Sequence, residues 1–205
     1  MSLIILSVFL GLSLCAQNNT DAQAILDNAS TKIKTAKGIN VSFSLTQKDK
    51  LNNVVATDKG VLKIKGAKYY IKQGEHEIFC NGAQIWNYDG QNEVTVAKAG
   101  DDEDEFSPQQ ILTGFNKTDY ASKLISSEGT NYQLQLIPVD KRKNFKEVML
   151  YINKSTNLIT KTSITDKTGN ITEINFSSIS LNSGFTDNQF VFDASRHPGV
   201  EVINQ

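Results

Sequence analysis

Val41-Ser42-Phe43-Ser44-Leu45-Thr46 alternates a large apolar residue with a small polar one. Successive side chains of a strand point to opposite faces, so this stretch predicts a strand with one buried and one solvated side. That division is the habit of antiparallel sheets, which pack one face and leave the other to water. The same period of two recurs at Tyr132, Leu134 and Leu136, at Val148, Leu150 and Ile152, and at Ile174 and Phe176. Between such runs lie turn signals: Asn52-Asn53, Gly66, Asn81-Gly82, Asp89-Gly90, Gly129, Asn157 and Gly169-Asn170. Asn-Gly and Asp-Gly favour tight hairpins because both positions accept positive φ. Consecutive strands therefore pair with their neighbours as a meander.

Upstream, the period changes. Ala22, Ile25, Leu26, Ala29, Ile33 and Ala36 fall on one face of a helix over 20–36. Thr20 and Gln23 have capping-box spacing, and Gly38 suits the left-handed position beyond the helix end. A second, short helix is predicted after Ser107-Pro108, with Gln110 completing another capping box and Ile111, Leu112 and Phe115 apolar. Both helices are amphipathic and need an apolar surface to lie on. The fold class that follows is mainly β, a curved antiparallel sheet with helices on one side.

Leu3 to Leu14 is almost wholly apolar and ends in Leu14-Cys15-Ala16-Gln17, after which the chain turns polar. That is the pattern of a secretory signal peptide over residues 1–16, followed by one domain over 17–205. Lipidation at Cys15 is the alternative, disfavoured by the bulk of Leu14 just before it. The mature chain then keeps Cys80 alone and forms no internal disulfide.

A chain of 205 residues, 39% apolar and with a net charge of −1, suits a single domain and offers no global field for nucleic acid. His76 and His197 stand apart, so no metal site is expected. No G-x-S-x-G elbow or other catalytic constellation is present, so neither an enzyme nor a cofactor is expected. The acidic run Asp101-Asp102-Glu103-Asp104-Glu105 lacks the Gly and ligand alternation of a calcium loop and reads as a solvated segment. Lys141-Arg142-Lys143 with Lys146 reads as the polar tip of a hairpin, or else as a docking patch for an acidic partner.

Four segments carry a resemblance. After the opening helix comes Val41 to Gln47, then Gly60-Val61-Leu62-Lys63-Ile64-Lys65, then Glu77 to Tyr88 with Asn81-Gly82-Ala83-Gln84-Ile85-Trp86-Asn87-Tyr88 at its centre. The last is Phe190-Val191-Phe192-Asp193 followed by Pro198-Gly199-Val200-Glu201-Val202. In this order they resemble the outer-membrane lipoprotein carrier family, LolA. The resemblance implies a half-open β-barrel whose helices form a lid on the concave face. It also implies a periplasmic monomer that shelters lipoprotein acyl chains, or another lipid, between an inner-membrane donor complex and an outer-membrane acceptor. A lipid-binding sensor or envelope interaction module of the same fold is the rival reading.

Under this resemblance Tyr70 matches a cavity-facing aromatic of the family. Strand parity adds Val41, Phe43, Leu45, Leu62, Ile64, Ile78, Leu134 and Leu136 as cavity candidates, together with Trp86 and Tyr88. Ile25, Ile33, Ile111, Leu112 and Phe115 are the lid candidates. The family's lid-latching arginine falls near Gly66, where this chain has Lys65-Gly66-Ala67-Lys68. A fully sheltered acyl chain of about sixteen carbons would gain on the order of 12 kcal/mol, at roughly 0.8 kcal/mol per CH₂. Cargo held that firmly would not be released, so the cavity is expected to be partly filled by its own lid.

Overall fold

The computed structural model describes residues 14–99, 111–112 and 118–204. Helix α1 spans Leu14–Lys34 and leads directly into β1, Ile39–Lys48. A first meander follows: β2 Val54–Lys65, β3 Lys68–Gln73, β4 His76–Cys80, β5 Gln84–Tyr88 and β6 Glu93–Lys98. The second comprises β7 Tyr120–Ser126, β8 Asn131–Pro138, β9 Phe145–Asn153, β10 Ile159–Asp166 and β11 Ile171–Leu181. A C-terminal segment with short 3-10 turns at Asp187–Phe190 and Ala194–Arg196 ends in β12, Glu201–Asn204.

Among the described residues, twelve strands form one sheet in the order β12-β6-β5-β4-β3-β2-β1-β11-β10-β9-β8-β7. The meander expected from the turn signals holds in both halves. They join where β11 returns beside β1, with Phe43 opposite Phe176 and Leu45 opposite Ile174. Every pairing is antiparallel except that of β12 with β6. The sheet is open and curved, a half-barrel with α1 on its concave face, as the sequence predicted.

Helix α1 buries Ala22, Leu26, Ala29 and Ile33 and half-buries Ile25, the face read from the 3.6-residue period. Two local expectations change. The helix already includes Leu14, the first described residue, so Thr20 lies inside it; nothing between Leu14 and Thr20 is a Gly or Pro that would stop it. Gln23 accordingly bonds forward to Asp27, at 2.8 Å, instead of back to a cap. Gly38 is not left-handed either: its φ is ordinary, and its role is space, since a Cβ there would lie 2.3 Å from the Ser183 carbonyl oxygen.

The main core lies between α1 and the sheet. Ile39, Val41, Leu62 and Ile64 meet Leu134, Leu136, Val148, Leu150 and Ile152 beneath the helix, and Ile111 and Leu112 are buried in the same cluster. Ile111 and Leu112 are helical, as predicted. Phe115, Ser107, Pro108, Gln110 and the acidic run 101–105 fall outside the described residues.

Candidate functional site

Register decides which side chains share the concave face. Val41 pairs with Leu62, Ile39 with Ile64 and Phe43 with Gly60. Leu62 pairs in turn with Ile71 and Ile64 with Tyr69, and Ile71 pairs with Ile78. Opposite residues in an antiparallel pair point the same way. Val41, Phe43, Leu45, Leu62, Ile64 and Ile78 therefore share one face, and Leu134 and Leu136 reach it through the second meander. These eight cavity candidates lie where parity put them.

Burial divides them. Val41, Leu62, Ile64, Leu134 and Leu136 are sealed under α1, none more than 4% exposed. Phe43, Leu45, Tyr69 and Ile71 are half-buried at the margin of that cluster, and Ile78 continues the strip onto β4. Gly60 makes room within it: a Cβ there would lie 2.4 Å from Phe43 Cζ, so the ring lies across β2 only because position 60 has no side chain. The result is an apolar strip along β1–β4 beside a helix that covers the rest of the same face. Helix and acyl chain would compete for one surface.

Tyr70, Trp86 and Tyr88 are on the other side, which corrects their assignment to the cavity. Tyr70 pairs with Lys63 and Phe79, Phe79 with Trp86, and Tyr88 with Val94. Together with Phe192 and Val200 they build a second core on the convex face. Phe192 meets Phe79 at 5.8 Å and Tyr88 at 5.5 Å between ring centroids, and stacks on His197 at 4.8 Å. Tyr70 donates its hydroxyl to Glu77 Oε2 at 2.9 Å, while Lys72 donates to Oε1 at 2.8 Å. Burial, reinforced by that carboxylate, pushes the Tyr70 hydroxyl pKa up. A half-buried phenol tied to a carboxylate anchors this face structurally.

Tyr69 and Ile71 also lie on this concave face, and the sequence reading missed them. The signal was present: a two-residue turn at Gly66-Ala67 pairs Lys65 with Lys68, which forces Ile64 opposite Tyr69 and Leu62 opposite Ile71. Adjacent tyrosines at 69 and 70 hid the alternation.

The lysines around Gly66 do have a latch, but not on the helix. Lys65 Nζ donates to the Phe185 carbonyl at 2.9 Å and to Asp187 Oδ1 at 2.8 Å, and Lys68 reaches Asp187 Oδ2 at 2.8 Å. Hydrogen bonds from these two ammonium groups hold the Asp187 carboxyl down at about 2. They pin the start of the C-terminal strap to the β2–β3 turn.

An open groove of about 620 Å³ crosses β1, β2 and β11, lined by Ser42, Phe43, Ser44, Lys59, Gly60, Val61, Lys72, Gly74, Asn175 and Ser177. Cys80 is a free, buried thiol, as its apolar strand suggested.

The order of elements matches a known family over most of the chain. Residues 34–193 fit the family described as outer membrane lipoprotein carrier protein LolA. The chain belongs to the LolA family. A relative in Idiomarina loihiensis, named outer-membrane lipoprotein carrier protein, is 22% identical over 188 residues, covering 90% of this chain and 88% of the relative. An uncharacterized conserved protein from Thermus thermophilus shares the fold, with a TM-score of 0.56 at 14% identity, over 90% of this chain and 99% of that one. A LolA superfamily protein from Nitrosomonas europaea aligns with a TM-score of 0.46 at 15% identity, over 83% and 97% of the two chains. The LolA match takes in the whole apolar strip and the strap as far as Asp193.

Proposed function

We propose that this LolA-family chain is an exported carrier that shelters lipoprotein acyl chains on the concave face and ferries them to the outer membrane. Residues 1–16 direct export and are removed, leaving a periplasmic domain over 17–205. An inner-membrane donor complex loads the carrier and an outer-membrane acceptor unloads it, a reading supported by family membership. Protein isolated from the envelope should have the mass of a chain starting at Gln17; an acylated chain starting at Cys15 would remove the soluble carrier.

One observation carries the reading: a half-buried apolar strip, from Phe43 and Leu45 through Ile71 to Ile78, runs beside an amphipathic helix on the same face. Capture is driven by burying methylene groups, and its net gain is reduced because the entering chain displaces contacts of Ile25 and neighbouring helix residues. That offset keeps binding reversible enough for delivery.

The test is a fluorescent fatty-acyl probe with charges placed on each face. Phe43→Glu or Ile71→Glu buries a carboxylate in the strip and should weaken binding more than tenfold. Ser42→Glu and Lys63→Glu, on the opposite parity, should bind as the parent does. Equal responses from the two faces would overturn the site. Failure of the parent protein to solubilise any lipoprotein from membranes, with probe binding intact, would overturn the carrier.

A further inference from the structure

At one end of the sheet the β1–β2, β8–β9 and β10–β11 turns come together, because Lys48 pairs with Ile171 and Asp166 with Phe145. The turns touch. A Cβ on Gly169 would lie 3.3 Å from that of Lys50, and Lys167 donates to the carbonyls of Lys141 at 2.9 Å and Arg142 at 3.3 Å.

Two independent features mark this end. Leu51 is 75% exposed, Val54 62% and Val55 68%, with Val139 at 59% on the β8–β9 turn. A hairpin tip needs none of these aliphatic side chains for its own geometry. The turn is made by Asp49, whose Oδ1 accepts the Leu51 and Asn53 backbone N–H groups at 2.9 Å, and by Asn52 at a φ of 67°. Leu51 is therefore held outward on a fixed turn. The second feature is charge. Lys50, Lys141, Arg142, Lys143 and Lys167 on these turns face three carboxylates, Asp49, Asp140 and Asp166. Each carboxylate accepts backbone N–H groups of its own turn, and Asp140 also takes the Arg142 guanidinium at 2.7 Å. Turns of the first meander at the same end carry Glu75 and Asp89, so the basic, apolar surface occupies one side only.

We propose that this side of the sheet end docks on an anionic bilayer. Leu51, Val54 and Val55 enter the boundary between headgroups and acyl chains, and the neighbouring lysines rest on the phosphate plane. The aliphatic tip is small and convex, suited to a soft surface, and the surplus of cations complements anionic headgroups. Such binding takes two signals, since few buried methylenes or few charges hold a protein on a membrane only weakly by themselves. This goes beyond the carrier reading and does not depend on it.

The experiment is co-sedimentation of the mature protein with vesicles of phosphatidylcholine alone and of phosphatidylcholine with phosphatidylglycerol. Binding is expected on the anionic vesicles, about tenfold weaker on the neutral ones, and falling as salt rises. Replacing Leu51, Val54 and Val55 together by Ser should reduce partitioning at least tenfold, and Lys50→Glu with Lys167→Glu about tenfold. All five side chains are peripheral to the core, and acyl-probe affinity should be unchanged in both variants, which separates this surface from the carrier site. In a Trp86→Phe background, Leu51→Trp should show blue-shifted emission when anionic vesicles are added. No sedimentation with anionic vesicles, binding that survives the Ser replacements, or an unshifted Trp at the tip would each overturn the proposal. Loss of docking to a purified envelope protein in the Ser variant, with vesicles inert, would reassign the tip to a protein partner and overturn it equally.

Discussion

The two halves of the sheet are sealed on opposite faces. Strands β7–β11, with β1 and β2, are covered on the concave face by α1, and their cores at Leu134, Val148, Leu150 and Ile152 have no exposure at all. Strands β3–β6 are covered on the convex face by the C-terminal strap, through Phe79, Val94 and Phe192. Beside the change of seal, on β1, β3 and β4, the concave face keeps apolar residues that are only half-buried. A sheet packed on one face throughout would offer no such strip. The proposed site for alkyl chains thus lies at the handover between two coverings.

The largest test of this contrast is to open a hole in each seal. Leu150→Ala, beneath the helix, should lower global stability by about 3 kcal/mol, read as a shift of the urea midpoint. Phe192→Ala should cost about 3 kcal/mol, the low end for a buried ring because Phe192 keeps 8% exposure, and should act locally. Amide exchange should then quicken in β12 and the strap while α1 keeps its protection. Equal loss of protection in α1 would mean that the halves are one cooperative unit and the contrast is only geometric.

Tyr70→Phe sharpens the assignment of faces. It removes the hydrogen bond to Glu77, should destabilise by about 1 kcal/mol, and should leave acyl-probe affinity unaltered. Weakened probe binding would return Tyr70 to the cavity.

The smallest effect is expected at the strap latch. Its carboxylate is solvent-exposed, so water screens the pairing with Lys65 and Lys68. Because the folded Asp187 carboxyl sits at about 2, below its ordinary 3.8, the latch is complete above pH 3.8 and is lost as pH falls through about 2. Amide exchange around Phe185 should quicken across that window, and Asp187→Asn should quicken it at neutral pH and abolish the pH dependence. An unchanged profile in the variant would show that the aromatic contacts alone hold the strap.

Local pattern determined much of this protein. Alternation at Val41–Leu45 and Tyr132–Leu136 fixed the strands and their buried side, and the Asn-Gly and Asp-Gly turns fixed the neighbour pairing. The 3.6-residue stripe from Ala22 to Ile33 identified the helix and its packed face. Each of these signals is written within a few consecutive residues, because side-chain direction in a strand or helix follows from the backbone period alone. Tertiary structure decided what alternation cannot carry: which side of a strand becomes the shared face. At Tyr69-Tyr70 both faces are apolar, so parity is silent; at Trp86-Asn87-Tyr88 alternation marks the two aromatics as one side but not which face of the sheet that side joins, and the outcome depends on what covers each face. That covering is the strap, which arrives from more than a hundred residues downstream of Tyr70. Gly38 teaches the same lesson in miniature: its spacing suggested a helix cap, and the backbone of Ser183 decided that the need was for room.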